Sequence, residues 1–321
     1  MNTHIAALSL VLSACIADAA LAQAYPHKPI RIIATQPPGA GTDVIARLVG
    51  LHLSSAFGQP VIVDNRGGAS GNIATDLVAK APPDGYTLLI TTPAHAINPG
   101  FNPRISYDPV KDFAPITQIT TQAFLMVAHP AVPAKTIREF IAFAKAKNGK
   151  MTYGSAGIGV AGHLAMELLK TLAGFEAVHV PYKGGGPAIV DLIAGQVDAA
   201  VVSMPALLPH VRSGRATAIA VTSLKRSAHL PDVATVAEAG FPGYEVSSWY
   251  GFLAPAGTPR EIVARLHAEV SRTLKLPDVR DRLVADGAEP VGSTPEAFAT
   301  YIKAEAIKWA KVAKQSGAKM D

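Results

Sequence analysis

Two stretches combine glycine, small hydroxyl residues and the start of a helix in a way that suits an anion. The first is Gln36-Pro-Pro-Gly-Ala-Gly-Thr-Asp43; it follows the β-branched run Ile30 to Ile33 and leads into apolar positions Ile45, Leu48, Val49 and Leu53 at helical spacing. The second is Thr152-Tyr-Gly-Ser-Ala-Gly-Ile-Gly-Val-Ala-Gly-His163. In each, a strand ends, a glycine loop turns and a helix begins, with Thr42 expected to cap the first helix. The leading amides of a helix have no intrahelical partner and lie at the positive end of its dipole. Each loop is therefore a candidate carboxylate site, and two of them facing each other would hold a small carboxylate-bearing molecule.

Other chemistries fit these residues less well. Gly157-Ile-Gly-Val-Ala-Gly162 has the glycine spacing of a dinucleotide loop, but that loop needs an acid at the end of the following strand, and Glu176 precedes its strand. His95, His163 and His179 lack paired metal-ligand spacing and read as hydrogen-bonding or packing side chains. Of these, His95 directly follows a strand end and is the one expected to reach a ligand. No nucleophile elbow and no Walker loop is present. Ser155 has no base or orienting acid that can be paired with it, so it reads as a hydroxyl donor. Lys183, before Gly184-Gly-Gly186, either steers an anion or is a solvated surface lysine. Trp249 and Tyr250 read as core, with the cleft wall as the alternative. No catalytic residue, metal or cofactor is expected.

The elements that must position these loops alternate. Strands at Ile30 to Ala34, Pro60 to Asp64 and Tyr86 to Thr91 are separated by helices, which argues for a parallel sheet covered on both faces. Ligands sit beyond the carboxyl ends of such strands. That edge carries the loops Gln36 to Gly41, Asn65 to Gly71 and Thr92 to His95. Asn98 to Pro115 reads as irregular. A second block repeats the logic: a strand from Phe124 to Ala128, a capping box Thr136-Ile-Arg-Glu139, then strands at Ala177 to Val180, Asp198 to Ser203 and Ala218 to Thr222. Ser247 to Leu253 is a strand near the return crossover. The remainder is helical, and the final helix, with its stripe of Phe298, Ile302, Trp309 and Val312, is expected to dock on the first lobe. The expected organisation is a signal at 1–24, a first lobe at 25–122 plus 253–321, and a second lobe at 123–252, with a hinge and a cleft between them.

The length of 321 residues suits two domains, and an apolar fraction of 49% with 17% charged residues supports a sizeable core. The net charge of +5 is spread thinly, without arginine-rich runs, which argues against nucleic acid and suits an anionic solute. Residues 1 to 24 resemble an export signal, with an apolar run from Ile5 to Ile16 and small-residue cleavage positions at Ala20 to Ala24. Asp18 follows and stops that run, which is too short for an anchor. The single cysteine is Cys15, and Leu12-Ser-Ala-Cys15 offers a lipobox as the rival to ordinary cleavage.

The chain resembles the tripartite tricarboxylate transporter substrate-binding family, also called the Bordetella uptake gene receptors. The resemblance runs nearly end to end. It is carried by Tyr25-Pro-His-Lys-Pro-Ile30, Pro37-Pro-Gly39 with Thr42-Asp43, Asp64-Asn-Arg66, Pro83-Asp-Gly-Tyr-Thr-Leu88 and His95-Ala-Ile-Asn-Pro99. Tyr107-Asp-Pro109, Lys111-Asp-Phe113, Tyr153-Gly-Ser-Ala-Gly157, Val180-Pro-Tyr-Lys-Gly184 and Leu253-Ala-Pro-Ala-Gly-Thr-Pro259 add to it. It implies an α/β, two-lobed periplasmic binding protein of type II, with a ligand cleft between two Rossmann-like domains. It also implies a monomeric, non-enzymatic receptor that delivers a small carboxylate to membrane permease subunits of a tripartite transporter. The site it implies is Gln36, Gly39, Ala40, Gly41, Thr92, Ala94 and His95 in the first lobe, with Ser155, Gly159, Val160, Gly184 and Ser203 in the second. Thr35-Gln36 stands where many members have Pro-Phe, and Val202 where amino-acid-binding members have Asp. With Val160, these departures imply a ligand without an ammonium group and with an apolar body, such as terephthalate. A citrate-like acid, or partnership with a sensor kinase instead of a permease, is the alternative.

Overall fold

The structure, a computed structural model, describes residues 25–285 and 287–316. The export signal and the lipobox at Cys15 lie outside the described residues. The first lobe opens with β1 (Ile30–Ala34), α1 (Gly41–Phe57), β2 (Val61–Asn65), α2 (Asn72–Ala79), β3 (Thr87–Thr91) and α3 (Ala94–Phe101). The second lobe holds α4 (Ile137–Ala146), β5 (Thr152–Ser155), α5 (Ala161–Ala173), β6 (Val178–Pro181), α6 (Gly185–Ile193), β7 (Ala199–Ser203), α7 (Met204–Arg212) and β8 (Thr217–Val221). The two are joined by β4 (Phe113–Ala128) and β9 (Ser247–Pro255). The chain closes with α8 (Arg260–Thr273), α9 (Pro277–Ala285), the short β10 (Glu289–Pro290) and α10 (Pro295–Ser316).

The strands follow the order β2-β1-β3-β9-β4-β7-β5-β6, with β8 and β10 also paired to β4. β1 is parallel to β2 and β3, and β5 is parallel to β6 and β7. β9 runs antiparallel to both β3 and β4. The first part of β4, Phe113 to Ala123, pairs with β9, and its last part, Phe124 to Ala128, pairs with β7 and β8. One strand thus carries the backbone from one lobe into the other.

The inner parallel strands β1, β3, β5 and β7 are buried on both faces, while the edge strands β2 and β6 expose Ile62 and Val178. Ile30, Ile32 and Ala34 of β1 face α1 and α8, in a cluster with Ile45, Val49 and Leu266. Ile33 faces the opposite layer with Val78, Trp249 and Leu253. α10 reaches both lobes. Phe298 and Ile302 pack beside Ile33 and Leu89 of the first lobe and Trp249 of the joining strand β9, while Trp309 and Val312 join Leu164, Leu169 and Met126 in the second.

Three local expectations are revised. Thr42 is not the cap of α1: Ala40 holds that position without a side-chain bond, and Thr42 lies buried in the first turn. The stretch after β3 is not irregular throughout. Residues 94–101 form α3 despite Pro99, because Gly100 lets that helix lie flush on α10, where a methyl group at Gly100 would stand 3.1 Å from the Ala310 backbone. Finally, β4 begins at Phe113 rather than Phe124; of the polar residues that hid its first half, Thr117, Gln118 and Thr120 are buried, and Thr117 Oγ1 donates to Ser293 O at 2.8 Å.

Candidate functional site

The carboxyl ends of β1 and β3 open on a cleft of about 450 Å³. Its first-lobe wall is Thr35 to Pro37, the turn Gly68 to Gly71, Thr92 to Ala94, and Ile97 and Asn98 of α3. The floor is made by the crossing strands: Phe124 from β4, and Ser248 and Tyr250, which the two-residue period of β9 puts on one face. The second lobe contributes Ile158, Gly159, Val160 and Ala161 at the start of α5. None of these lining residues carries a charge.

The loop before α1 is clamped by its own side chains. Gly39 N donates to Asp43 Oδ2 at 2.8 Å, and Arg47 Nε donates to Asp43 Oδ1 at 2.9 Å. The Arg47 hydrogen bond holds the Asp43 carboxyl below its ordinary pKa, so it is an anion at neutral pH. Asn65 Nδ2 donates to Gln36 O at 3.0 Å, and Thr42 N donates to Gln36 Oε1 at 3.1 Å. Two amides that were expected to face a ligand are thus taken by acceptors of the chain itself. Gly41 has a further constraint: a methyl group built on it would lie 1.9 Å from the Tyr250 hydroxyl, so only glycine lets that phenol reach the helix start.

At the end of β3, Ala94 N donates to Thr92 Oγ1 at 3.4 Å, and both residues face the cleft. His95 does not. It is 1% exposed, Nε2 donates to Pro109 O at 2.9 Å, and the ring stacks on Tyr107 with its edge toward Phe113. Burial pushes its pKa down to about 4, so the ring is neutral. Its place in the fold is to pin the segment 107–113 beneath α3.

In the second lobe, Val160 occupies the N-cap position of α5 without a side-chain bond, is 37% exposed, and faces the cleft. Gly159 N donates to His163 Nδ1 at 3.0 Å. Ser155 is 0% exposed, within hydrogen-bonding distance of Gly157 O at 2.9 Å and His179 Nε2 at 2.8 Å. His179 stacks on His163 with centroids 4.0 Å apart, and burial followed by the neighbouring His163 lowers its pKa to about 4. Ser155 therefore braces the glycine loop from behind, and its burial keeps the Ser155–His179 pair from meeting a substrate. Gly184 N donates to Ala156 O at 3.0 Å, which ties the next turn to the same loop. Ser203 stands half-buried at the N-cap position of α7, away from the cleft lining. Val202 is 4% exposed and packs under α6, against Gly185, where a methyl group would meet Val202 Cγ1 at 2.6 Å.

Of the residues expected from sequence, the structure brings Gln36, Thr92, Ala94, Gly159 and Val160 together on the cleft. Gly39, Ala40 and Gly41 form the clamped loop beside it. Ile97, Asn98, Phe124, Ile158, Ser248 and Tyr250 were not among the expected site residues. Ile158 lay within the second glycine stretch, Ile97 and Asn98 within the His95-Ala-Ile-Asn-Pro99 signature, and Tyr250 was an aromatic near the crossover; Phe124 and Ser248 carried no signal. Among the described residues no three His, Cys, Asp or Glu side chains cluster to hold a metal, and no helix is long and apolar enough to cross a membrane.

Comparison with known proteins adds to this geometry. A model described as tripartite tricarboxylate transporter family receptor matches residues 45–318. Protein BugT of Bordetella pertussis is 38% identical over 312 residues, covering 97% of this chain and 96% of that protein. The structure of Rpa4515 from R. palustris with adipate is 38% identical, with a TM-score of 0.72 over 92% of this chain and 100% of that one. MatC from Rhodopseudomonas palustris with bound malate is 34% identical, with a TM-score of 0.69 over 90% and 99%. A TctC solute binding protein from Polaromonas without ligand is 28% identical and superposes with a TM-score of 0.83 over 91% and 99%.

Proposed function

The chain belongs to the tripartite tricarboxylate transporter receptor family, and we propose that it closes on a dicarboxylate whose two acidic ends are separated by an apolar body. It is a solute-binding receptor and not an enzyme. The favoured solute is an aromatic diacid of the terephthalate kind. The observation that carries this reading is the division of the cleft. The start of α3 with the Thr92 hydroxyl and the start of α5 at Val160 and Ala161 line the cleft, and Ile97, Phe124, Ile158 and Val160 supply apolar surface. A carboxylate is held well by helix-end amides without a cation, and an apolar spacer is held by burial. Direct contacts are assigned to Gln36, Thr92, Ala94, Gly159 and Val160. His95, Ser155, Gly184 and Ser203 shape the loops behind them.

Closure takes 25–122 plus 253–321 as one lobe and 123–252 as the other, bending where β4 and β9 cross. Ligand contacts to both lobes stabilise the closed form over the open one. The tighter superposition on the ligand-free Polaromonas protein, against 0.69 and 0.72 for the two ligand-bound ones, supports an open form here. The receptor is exported by residues 1–24, acts as a monomer in the periplasm and delivers its solute to permease subunits. A second reading, an aliphatic diacid, is favoured by the adipate held by Rpa4515.

A thermal-shift screen of the mature chain tests both readings, because a ligand of the folded state raises the melting temperature. The panel is terephthalate, phthalate, benzoate, adipate, malate, citrate, aspartate and glutamate. Shifts by terephthalate above all others are expected. Shifts by adipate or citrate alone replace the aromatic reading with the aliphatic one. Tight binding of aspartate or glutamate, with none of diacids lacking an ammonium, overturns both.

A further inference from the structure

Gln36 links the end of β1 to the first turn of α1, and its amide can point only one way. A backbone N–H is a donor, so the group that meets Thr42 N at 3.1 Å is the amide oxygen. The planar amide then turns Nε2 and its two hydrogens away from the helix. No described residue accepts from Nε2, and Gln36 stands half-buried in the cleft wall. The main chain of the same residue is fixed by Asn65 Nδ2 on Gln36 O. Deeper in the loop, the Asp43 carboxylate already occupies Gly39 N. A ligand carboxylate approaching α1 thus finds one amide filled by Gln36 and another filled by a resident anion.

We propose that Gln36 is a specificity-determining residue that relays the positive end of α1 to the ligand as a neutral donor. Thr42 N–H polarises the amide, and Nε2–H donates to a ligand oxygen. The first lobe then selects an acceptor, best a carboxylate, and rejects a donor such as an ammonium or a primary amide nitrogen. This rests on the carboxylate reading above and deepens it, because it assigns the ligand's chemistry at one end of the cleft to a single side chain.

Two substitutions separate the halves of the relay. Gln36→Glu keeps an oxygen for Thr42 N but turns an acceptor toward the ligand. Gln36→Leu removes both functions. The probes are terephthalate and adipate, each against its own monoamide, in calorimetric titrations of the full mature chain. Wild type is expected to prefer the diacid. Gln36→Glu is expected to weaken the diacid by roughly 30-fold or more and to reverse the preference, since the monoamide can donate its nitrogen to the new carboxylate. Without any ligand, Gln36→Leu is expected to lower Tm by about 2 to 3 °C while Gln36→Glu does not lower it. A Gln36→Glu chain with the wild-type diacid-to-monoamide ratio, or a Gln36→Leu chain with unchanged Tm, overturns the relay alone. Wild-type protein that binds neither diacid overturns the receptor reading before any substitution is made, and the relay with it.

Discussion

His95 immediately follows the cleft residue Ala94, yet its ring turns inward, where Tyr107 and Phe113 flank it and Pro109 O accepts from Nε2. The cause of its lowered pKa is first desolvation, opposed by the Pro109 bond and by the nearby Asp108. Its folded value of about 4 lies below the ordinary 6.5, so the fold holds the neutral ring while the unfolded chain takes up a proton. Stability is therefore unaffected above about pH 6.5, is lost progressively as pH falls, and levels off below about pH 4. For a ring this deeply buried the share at pH 4.5 is about 2 to 3 kcal/mol. His163 and His179 are also held neutral by burial and add to the same limb. His95→Gln keeps a donor for Pro109 O and removes the titration. Urea unfolding at pH 7 and pH 4.5 should give a smaller difference in the variant than in wild type, and equal differences would mean that His95 is not the titrating group. From sequence the histidines read as hydrogen-bonding or packing side chains, with His95 the one best placed to reach a ligand because it follows a strand end; strand-end position says nothing about which way a side chain turns, and here the ring packs inward.

Each of the two glycine loops ends in a helix start, but the two starts differ in what already occupies them. Both N-cap positions, Ala40 and Val160, lack a side-chain acceptor, and both preceding amides are taken, Gly39 N by the Asp43 carboxylate and Gly159 N by the His163 ring; what sets α1 apart is that its occupant is an anion and that Gln36 also fills Thr42 N. That difference makes α5 the better carboxylate end, and it can be tested by filling it. Val160→Asp supplies the missing cap and should stabilise the fold by about 1 kcal/mol. The same carboxylate should cost roughly 30-fold or more in diacid affinity, since it competes for the amides and repels the ligand. Thermal unfolding and calorimetry on one preparation read both effects, and undiminished affinity would remove α5 from the site. These strand-loop-helix units were legible because glycine and proline punctuate them where β-branched and helical periodicities change over. α3 and α7 were not, since Pro99 and Pro209 lie inside them and break the local pattern. What restores α3 is contact with α10, far along the chain. The first half of β4 was hidden for a similar reason. Thr117 and Gln118 look exposed in sequence, and only the return of Ser293, whose Oγ accepts from Gln118 N at 3.0 Å, makes their burial affordable.

For the whole molecule, the telling contrast is between a net charge of +5 and a cleft lined by no charged residue among those described. The positive charge is spread over the surface, so it acts at long range on an approaching anion and is screened by salt over about 8 Å at physiological ionic strength. In the proposed reading the contacts that hold the ligand are helix ends, amides and apolar walls, and closure of the lobes about β4 and β9 would take them out of solvent. The two effects belong to different rate constants. Raising sodium chloride from 50 to 500 mM should slow diacid association by about three- to tenfold, through lost steering. Dissociation should change by less than about twofold, because no exposed ion pair is there to be screened. Stopped-flow fluorescence can follow both, with Trp249 beneath the crossing strands as the reporter, in contact with Phe298 and Tyr301 of α10. A dissociation rate that rises steeply with salt would mean that a lysine or arginine swings onto the ligand on closure. Lys183, ahead of Gly184 in the second lobe, would be the first to replace. A flat dissociation rate with a falling association rate would place attraction on the surface and retention in the uncharged cleft, which is how a receptor can gather a dianion from solution and still release it when its lobes reopen.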